Sequence, residues 1–280
     1  MESSNKHNMI KQNKIRELKG EVENAVIQLF DYIEQVDSNQ NIILLLANGH
    51  KTNQIVEGFS PYVIGLGEEG LTDFDRIDFF QFYTDIPFEN SYNECDDEEK
   101  KKQMIRNSLH LELMIYTHFW EAFPVLKMLN QLINLCHNDY KWDIKVPAMS
   151  KHSFIRDTIR DGFKKLNLDI HKIITKSFNS QIRNAFAHSQ YSFSGEIIFL
   201  GNYDSSQTWQ VPSISIVDWE EKFLFTALLF NELTKHIKKM KQSLSAGVFE
   251  VQVPETSHPE HLVNRRLRYI KHQGRFVWEK

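Results

Sequence analysis

The stretch Ser180-Gln-Ile-Arg-Asn-Ala-Phe-Ala-His-Ser-Gln-Tyr191 marks the point where the chain changes its hydrophobic period. Its first half suits a helix, because Asn179 and Ser180 are both competent N-caps and Ala185 and Ala187 are small. From Tyr191 onward, Phe193, Gly195, Ile197 and Phe199 alternate with Ser192, Ser194 and Glu196, which is a strand pattern. The helical half also gathers Arg183, Asn184 and His188 within six residues. These three are either a catalytic group or the polar end of one more packed helix.

Downstream, Gly201 to Ser206 turns the chain, and Thr208 to Val217 is suited to return as the partner strand of a hairpin over 191–217. Asp218 with Glu221 three residues on has the pattern of a capping box. It opens a helix through Trp219, Phe223, Ala227, Phe230 and Leu233 that closes on Lys235, Lys238, Lys239 and Lys241, where the helix dipole favours cations. Gly247, Pro254 and Pro259 mark the change into a basic carboxy-terminal tail over 246–280.

Upstream, His152 to Leu166 reads as a helix, and so does the segment from Asp169 that carries the motif, with a restart at Asn179 or Ser180. A long central helix is predicted from about Asp96, where Asp96, Asp97, Glu98 and Glu99 lie at the positive end of the dipole. Apolar residues from Ile105 through Tyr116, Trp120 and Leu126 to Ile133 wrap most of its circumference, and Pro124 is expected to kink it.

Farther back, Ile15, Leu18, Val22, Ala25, Leu29, Tyr32 and Val36 form one stripe on an amphipathic helix over 9–36. Such a stripe either docks on its own domain or forms a seam between chains. Asn41 to Ala47 suits a strand or a short helix, since so short a run has no diagnostic period. The remainder to Asn93 is rich in Gly, Phe and Asp without a regular pattern, so 1–95 reads as an amino-terminal extension.

At 280 residues the chain has room for one large core or two small ones. A formal net charge of -4 gives no global attraction to nucleic acid or anionic lipid, so any such binding needs a local patch. Cys95 and Cys136 are the two cysteines and have no CxxC spacing, which suits a reducing compartment. The amino-terminal stretch is polar, and the apolar run Ile42 to Ala47 is far too short to span a bilayer. A soluble, cytoplasmic protein without membrane association is the expectation.

Several motifs fade on inspection. Gly65-Leu-Gly-Glu-Glu-Gly70 fits GxGxxG, but its two glutamates would face the phosphate and no repeated βαβ units surround it. Gly49-His-Lys-Thr52 lacks the upstream glycine of a phosphate-binding loop. The histidines show no metal-ligand spacing; His110 and His118 share a helix face but stand two turns apart. The carboxy-terminal segment is more suggestive. Arg265, Arg266, Arg268 and Lys271 are interleaved with Tyr269, Phe276 and Trp278, and cations with stacking rings suit single-stranded RNA. Such a segment also suits docking on an acidic domain surface.

As a bare spacing, Arg183 to His188 carries little, because about one such match is expected by chance and Arg265 or Arg266 with His272 repeats it. Context adds more. With Ile182 before it, a helical frame around it and R-N-A-F-A-H as its reading, the motif resembles that of the HEPN family, over roughly Asp96 to Leu244. The resemblance implies an all-α bundle that works as a homodimer, commonly as a metal-independent endoribonuclease of toxin–antitoxin or phage-defence systems. Some members are non-catalytic, and Gln190 stands where one subgroup has Tyr.

The chemistry fits those residue types. RNA is cut without metal when its own 2′-OH attacks the adjacent phosphate, which needs a base and a cation for the developing charge. His188 is the candidate base, Arg183 the candidate cation and Asn184 the candidate orienting group. Five helical residues turn about 500°, so Arg183 and His188 point about 140° apart, and two copies around a two-fold axis would pool them. The expectation is thus a mainly α HEPN-like helical bundle (96–245) with a small antiparallel β-hairpin and an amino-terminal helical extension. RNA is its expected substrate, a second copy and an antitoxin or regulatory protein its expected partners, and no cofactor or metal is called for.

Overall fold

The computed structural model describes residues 12–48 and 98–279, apart from 143, 256 and 259. The glycine-rich turn at 65–70, the segment at 49–52, Cys95 and the acidic pair at 96–97 lie outside the described residues. Helix makes up 60% and strand 15%, so the mainly α class holds, with two small antiparallel sheets where one hairpin was expected.

Helix α1 (Gln12–Val36) packs chiefly against α9 (Ile216–Ser243). Leu18, Val22, Ala25 and Leu29 of the predicted stripe are buried, joined by Val26, Phe30 and Ile33. The stripe is therefore covered by the chain's own core and is not left as a seam for another chain. The apolar run that follows is a helix, α2 (Ile42–Asn48). Its start is held by the Asp37 carboxylate, which accepts from the backbone N–H of Asn41 at 2.8 Å and of Ile42 at 2.7 Å.

The predicted central helix is two helices, α3 (Glu98–Glu121) and α4 (Phe123–Cys136), separated by Ala122 in an extended conformation. Pro124 explains the break. Inside a continuous helix it would remove one backbone bond and clash with the preceding turn, whereas in the first turn of α4 its missing N–H costs nothing. The break leaves Glu121 as the last residue of α3.

Next, α5 (Lys151–Ser153) runs through a wide π-helical turn, Phe154–Arg160, into α6 (Asp161–Lys165). Gly162 lets α6 approach α4 closely, since a Cβ there would meet Ile133 Cδ1 at 2.9 Å. Helices α7 (Ile170–Ser177) and α8 (Ser180–Ala187) follow, with the restart at Asn179 as the sequence suggested. The Tyr116 hydroxyl of α3 fixes this junction, donating to Ser177 O at 3.0 Å and accepting from Asn179 N–H at 2.7 Å. Asn179 then caps α8, its Oδ1 accepting from Ile182 N–H at 3.0 Å.

Strands β1 (Tyr191–Ser194) and β2 (Ile197–Leu200) form the expected hairpin. Gly195 is its turn and not a strand residue, with φ of 58° at the first central position. The returning strand is only β3 (Ser213–Ser215), because α9 begins at Ile216. Its cap lies one turn earlier than Asp218: Ser215 Oγ accepts from Asp218 N–H at 3.0 Å and donates to the Asp218 carboxylate at 2.6 Å.

The segment read as a tail is a sheet, β4 (Gly247–Pro254), β5 (Leu262–Ile270) and β6 (Arg275–Trp278), in that order. Val251, Val253, Leu267, Tyr269 and Phe276 point inward and belong to the same apolar cluster as residues of α1 to α4 and α6 to α9. One core therefore runs through all three sequence regions.

Within that core, Glu112 of α3 accepts hydrogen bonds from Trp219 Nε1 at 3.0 Å and Ser108 Oγ at 3.1 Å. Burial first, then the charge of Glu220, pushes its pKa up to about 7, while the two hydrogen bonds act the other way. The folded chain thus holds a proton that the unfolded chain releases from about pH 4.5 upward, so stability falls as pH rises from there to about 7. A shift of this size is worth about 3 kcal/mol. Urea unfolding of wild type and Glu112→Gln at pH 5 and pH 8 should show that much more loss in the wild type; parallel behaviour would contradict it.

Candidate active site

Arg183 lies one turn into α8 and points inward, its Nη1 2.6 Å from Glu121 Oε1 and its side chain 15% exposed. The other Glu121 oxygen accepts from Lys151 Nζ at 2.9 Å, and Lys151 also donates to the Glu121 backbone carbonyl at 2.9 Å. Lys151 is buried and lies 4.1 Å from the centre of the Phe123 ring. The three side chains join α3, α5 and α8. Two cations share one carboxylate, so one positive charge is in excess.

Among the described residues, Arg183 Nε is buried without a hydrogen-bond partner, and so is Thr117 Oγ1, one turn before Glu121 on the same face of α3. Tyr116 is near enough to feel the Arg183 charge. Burial raises its hydroxyl pKa, while the Asn179 backbone bond and Arg183 oppose that rise.

His188 is the C-cap of α8, with φ of -106° and its N–H returned to Asn184 O at 3.0 Å. The residue is exposed, and its ring makes no hydrogen bond or ion pair among the described residues. Asn184 is half-buried, and its side chain makes no hydrogen bond to the His188 ring. Within one chain, then, Arg183 is brought to Glu121 and Lys151 and not to His188.

A second polar group borders the turn that carries His188, contributed by residues outside the motif. His110 Nδ1 of α3 is 2.8 Å from the Tyr191 hydroxyl, across 81 positions of sequence. The His110 ring meets Phe193 edge-on at 5.0 Å, and Tyr191 packs on Phe186 at 5.3 Å. Phe186 and Tyr191 flank His188 in sequence, so the turn that carries it is anchored at His110, midway along α3. Glu121, which holds Arg183, is eleven residues along the same helix, a rise of about 16 Å. The motif's guanidinium therefore meets the carboxy-terminal end of α3, and the turn that carries its histidine meets the middle of that helix. Burial raises the Tyr191 hydroxyl pKa.

On the second sheet, Arg265, Arg266 and Arg268 are exposed, as is Lys271 in the short turn Lys271–Gln273. Arg266 Nε lies 3.2 Å from Glu279 and Arg268 Nε 2.7 Å from the same carboxylate, which is only 13% exposed. Glu250 faces Arg266 in register, so acids offset part of this cationic face. Tyr269 is 3% exposed, its ring beside Phe276 at 4.7 Å and its hydroxyl donating to Lys241 O at 3.0 Å. A ring so enclosed has no face for a base, and the cause is strand alternation, which turns Leu267 and Tyr269 inward. Among the described residues, no group of His, Cys, Asp and Glu could hold a metal ion, and no helix is long and apolar enough to cross a membrane.

No family model, curated protein or solved structure matches the chain.

The shared carboxylate makes a direct prediction. A double-mutant cycle on Glu121→Ala and Arg183→Ala, read by urea unfolding, should give a coupling of about 1–3 kcal/mol. Additive losses would show that the ion pair contributes nothing to the junction of α3 and α8.

Proposed function

We propose that the chain is a metal-independent endoribonuclease of HEPN type, with His188 as the base and Arg183 as the cation. The observation that carries this reading is the exposure of His188, a free imidazole at the end of the motif helix. Neutral imidazole takes the 2′-hydroxyl proton, the 2′-oxygen attacks phosphorus, and the 5′-oxygen leaves, giving a 2′,3′-cyclic phosphate. Arg183 brings a charge already in excess of its carboxylate partner. Because Arg183 and His188 diverge within one chain, the proposed site is composite, with His188 of one copy facing the cationic group of a second around a two-fold axis. A role as a toxin or phage-defence effector restrained by a partner protein belongs to the same proposal.

A second reading is a non-catalytic module that holds RNA or a partner protein. It is favoured by one observation, the commitment of the Arg183 guanidinium to Glu121.

Incubating RNA with the protein in EDTA decides between them. Wild type should produce 2′,3′-cyclic phosphate ends, and His188→Ala should lower the rate by about 100-fold or more. Arg183→Ala should fall comparably while its melting transition shows a folded chain. Equal rates in all three proteins would sink the catalytic assignment, and salt-sensitive binding without cleavage would favour the second reading.

A further inference from the structure

Cleavage by 2′-OH attack has a second proton to manage. The 5′-oxygen leaves poorly as an alkoxide, so its departure speeds up when an acid protonates it as the P–O bond breaks. His188 as base and Arg183 as cation leave that acid unassigned.

His110 meets the requirement by position. Its ring is exposed, it stands beside the turn that carries His188, and its Nδ1 is held at 2.8 Å by the Tyr191 hydroxyl. The edge-on contact with Phe193, at 5.0 Å and 90°, braces the ring from another side. Fixing Nδ1 leaves Nε2, on the opposite side of the ring, as the nitrogen available to a substrate. The Tyr191 hydroxyl serves both protonation states, because it donates to Nδ1 of the neutral ring and accepts from Nδ1–H of the imidazolium.

We propose that His110 is the general acid of the cleavage assigned above to His188, and that Tyr191 is its positioning residue. The proposal rests on that reading of the site. In the step, the 2′-O–P bond forms and the P–5′-O bond breaks. The 2′-hydroxyl proton goes to His188, and the Nε2 proton of imidazolium His110 goes to the 5′-oxygen, which keeps the electron pair of the broken bond. Both histidines then return to their starting states by proton exchange with water.

The test replaces the 5′-oxygen at the cleaved linkage of a single-stranded RNA oligonucleotide with sulfur, a leaving group that needs no protonation. His110→Ala should cut the ordinary oligonucleotide about 100- to 10,000-fold more slowly than wild type, yet cut the sulfur-containing one within about 10-fold of it. His188→Ala should be slow on both. Tyr191→Phe should lose about 10-fold on the ordinary linkage and nothing on the sulfur linkage, which a merely structural role would not produce. His110→Asn, checked for an unchanged melting transition, guards against loss of folding. A His110→Ala or His110→Asn protein that cuts ordinary RNA at the wild-type rate overturns the proposal, and so does equal loss on both linkages. Wild type that cuts neither oligonucleotide in EDTA overturns the underlying reading together with this one.

Discussion

A carboxylate at the carboxy-terminal end of a helix faces the negative pole of the helix dipole, and Glu121 is held there because two cations reach it. Lys151 satisfies both its side chain and its backbone carbonyl, and Arg183 takes the remaining oxygen. This contact ties α5 and α8 to the end of α3. It exists because Pro124 breaks the long helix and exposes that end. A few residues earlier, Tyr116 pins the start of α8. With its start and its first turn both fixed to α3, α8 has its orientation decided, Arg183 inward and His188 at its open end.

In the proposed enzyme the labour is divided along α3. Its carboxy-terminal end carries a cationic group drawn together by Glu121, and its middle carries His110 beside the turn of His188. An imidazole pair is a more self-sufficient arrangement for acid–base chemistry than an Arg/His pair on one helix, because each ring has its own proton to move. In the proposed enzyme, charge from a second copy completes this pair, so the dimer supplies stabilisation of the phosphate while the proton transfers stay within one chain.

Much of the architecture was legible in residue spacing. The stripe on α1, the restart at Asn179 and the hairpin through Ser194 and Ile197 all follow local rules. The misreadings share a physical cause, which is that they turn on distant partners. The basic segment is a sheet because Gly247–Pro254 supplies its ladder, and no pattern inside Leu262–Trp278 names that partner. The cap of α9 is Ser215 and not Asp218 because β3 pairs with β2 and fixes where the helix begins. At the candidate site, Arg183, Asn184 and His188 stood out by their spacing, whereas the contacts of Arg183 with Glu121, of Glu121 with Lys151 and of His110 with Tyr191 span 62, 30 and 81 positions and form only once the chain is folded. Tyr269 looked like a stacking ring until strand alternation turned it into the core.

The most direct measurement is a crystal structure with a single-stranded RNA whose scissile nucleotide lacks its 2′-hydroxyl, so that it binds without being cut. The account predicts a phosphate within hydrogen-bond reach of both His188 and His110, with the cationic group of a second copy facing it. RNA lying instead along Arg265, Arg266 and Arg268 of β5, with the two histidines untouched, would contradict it.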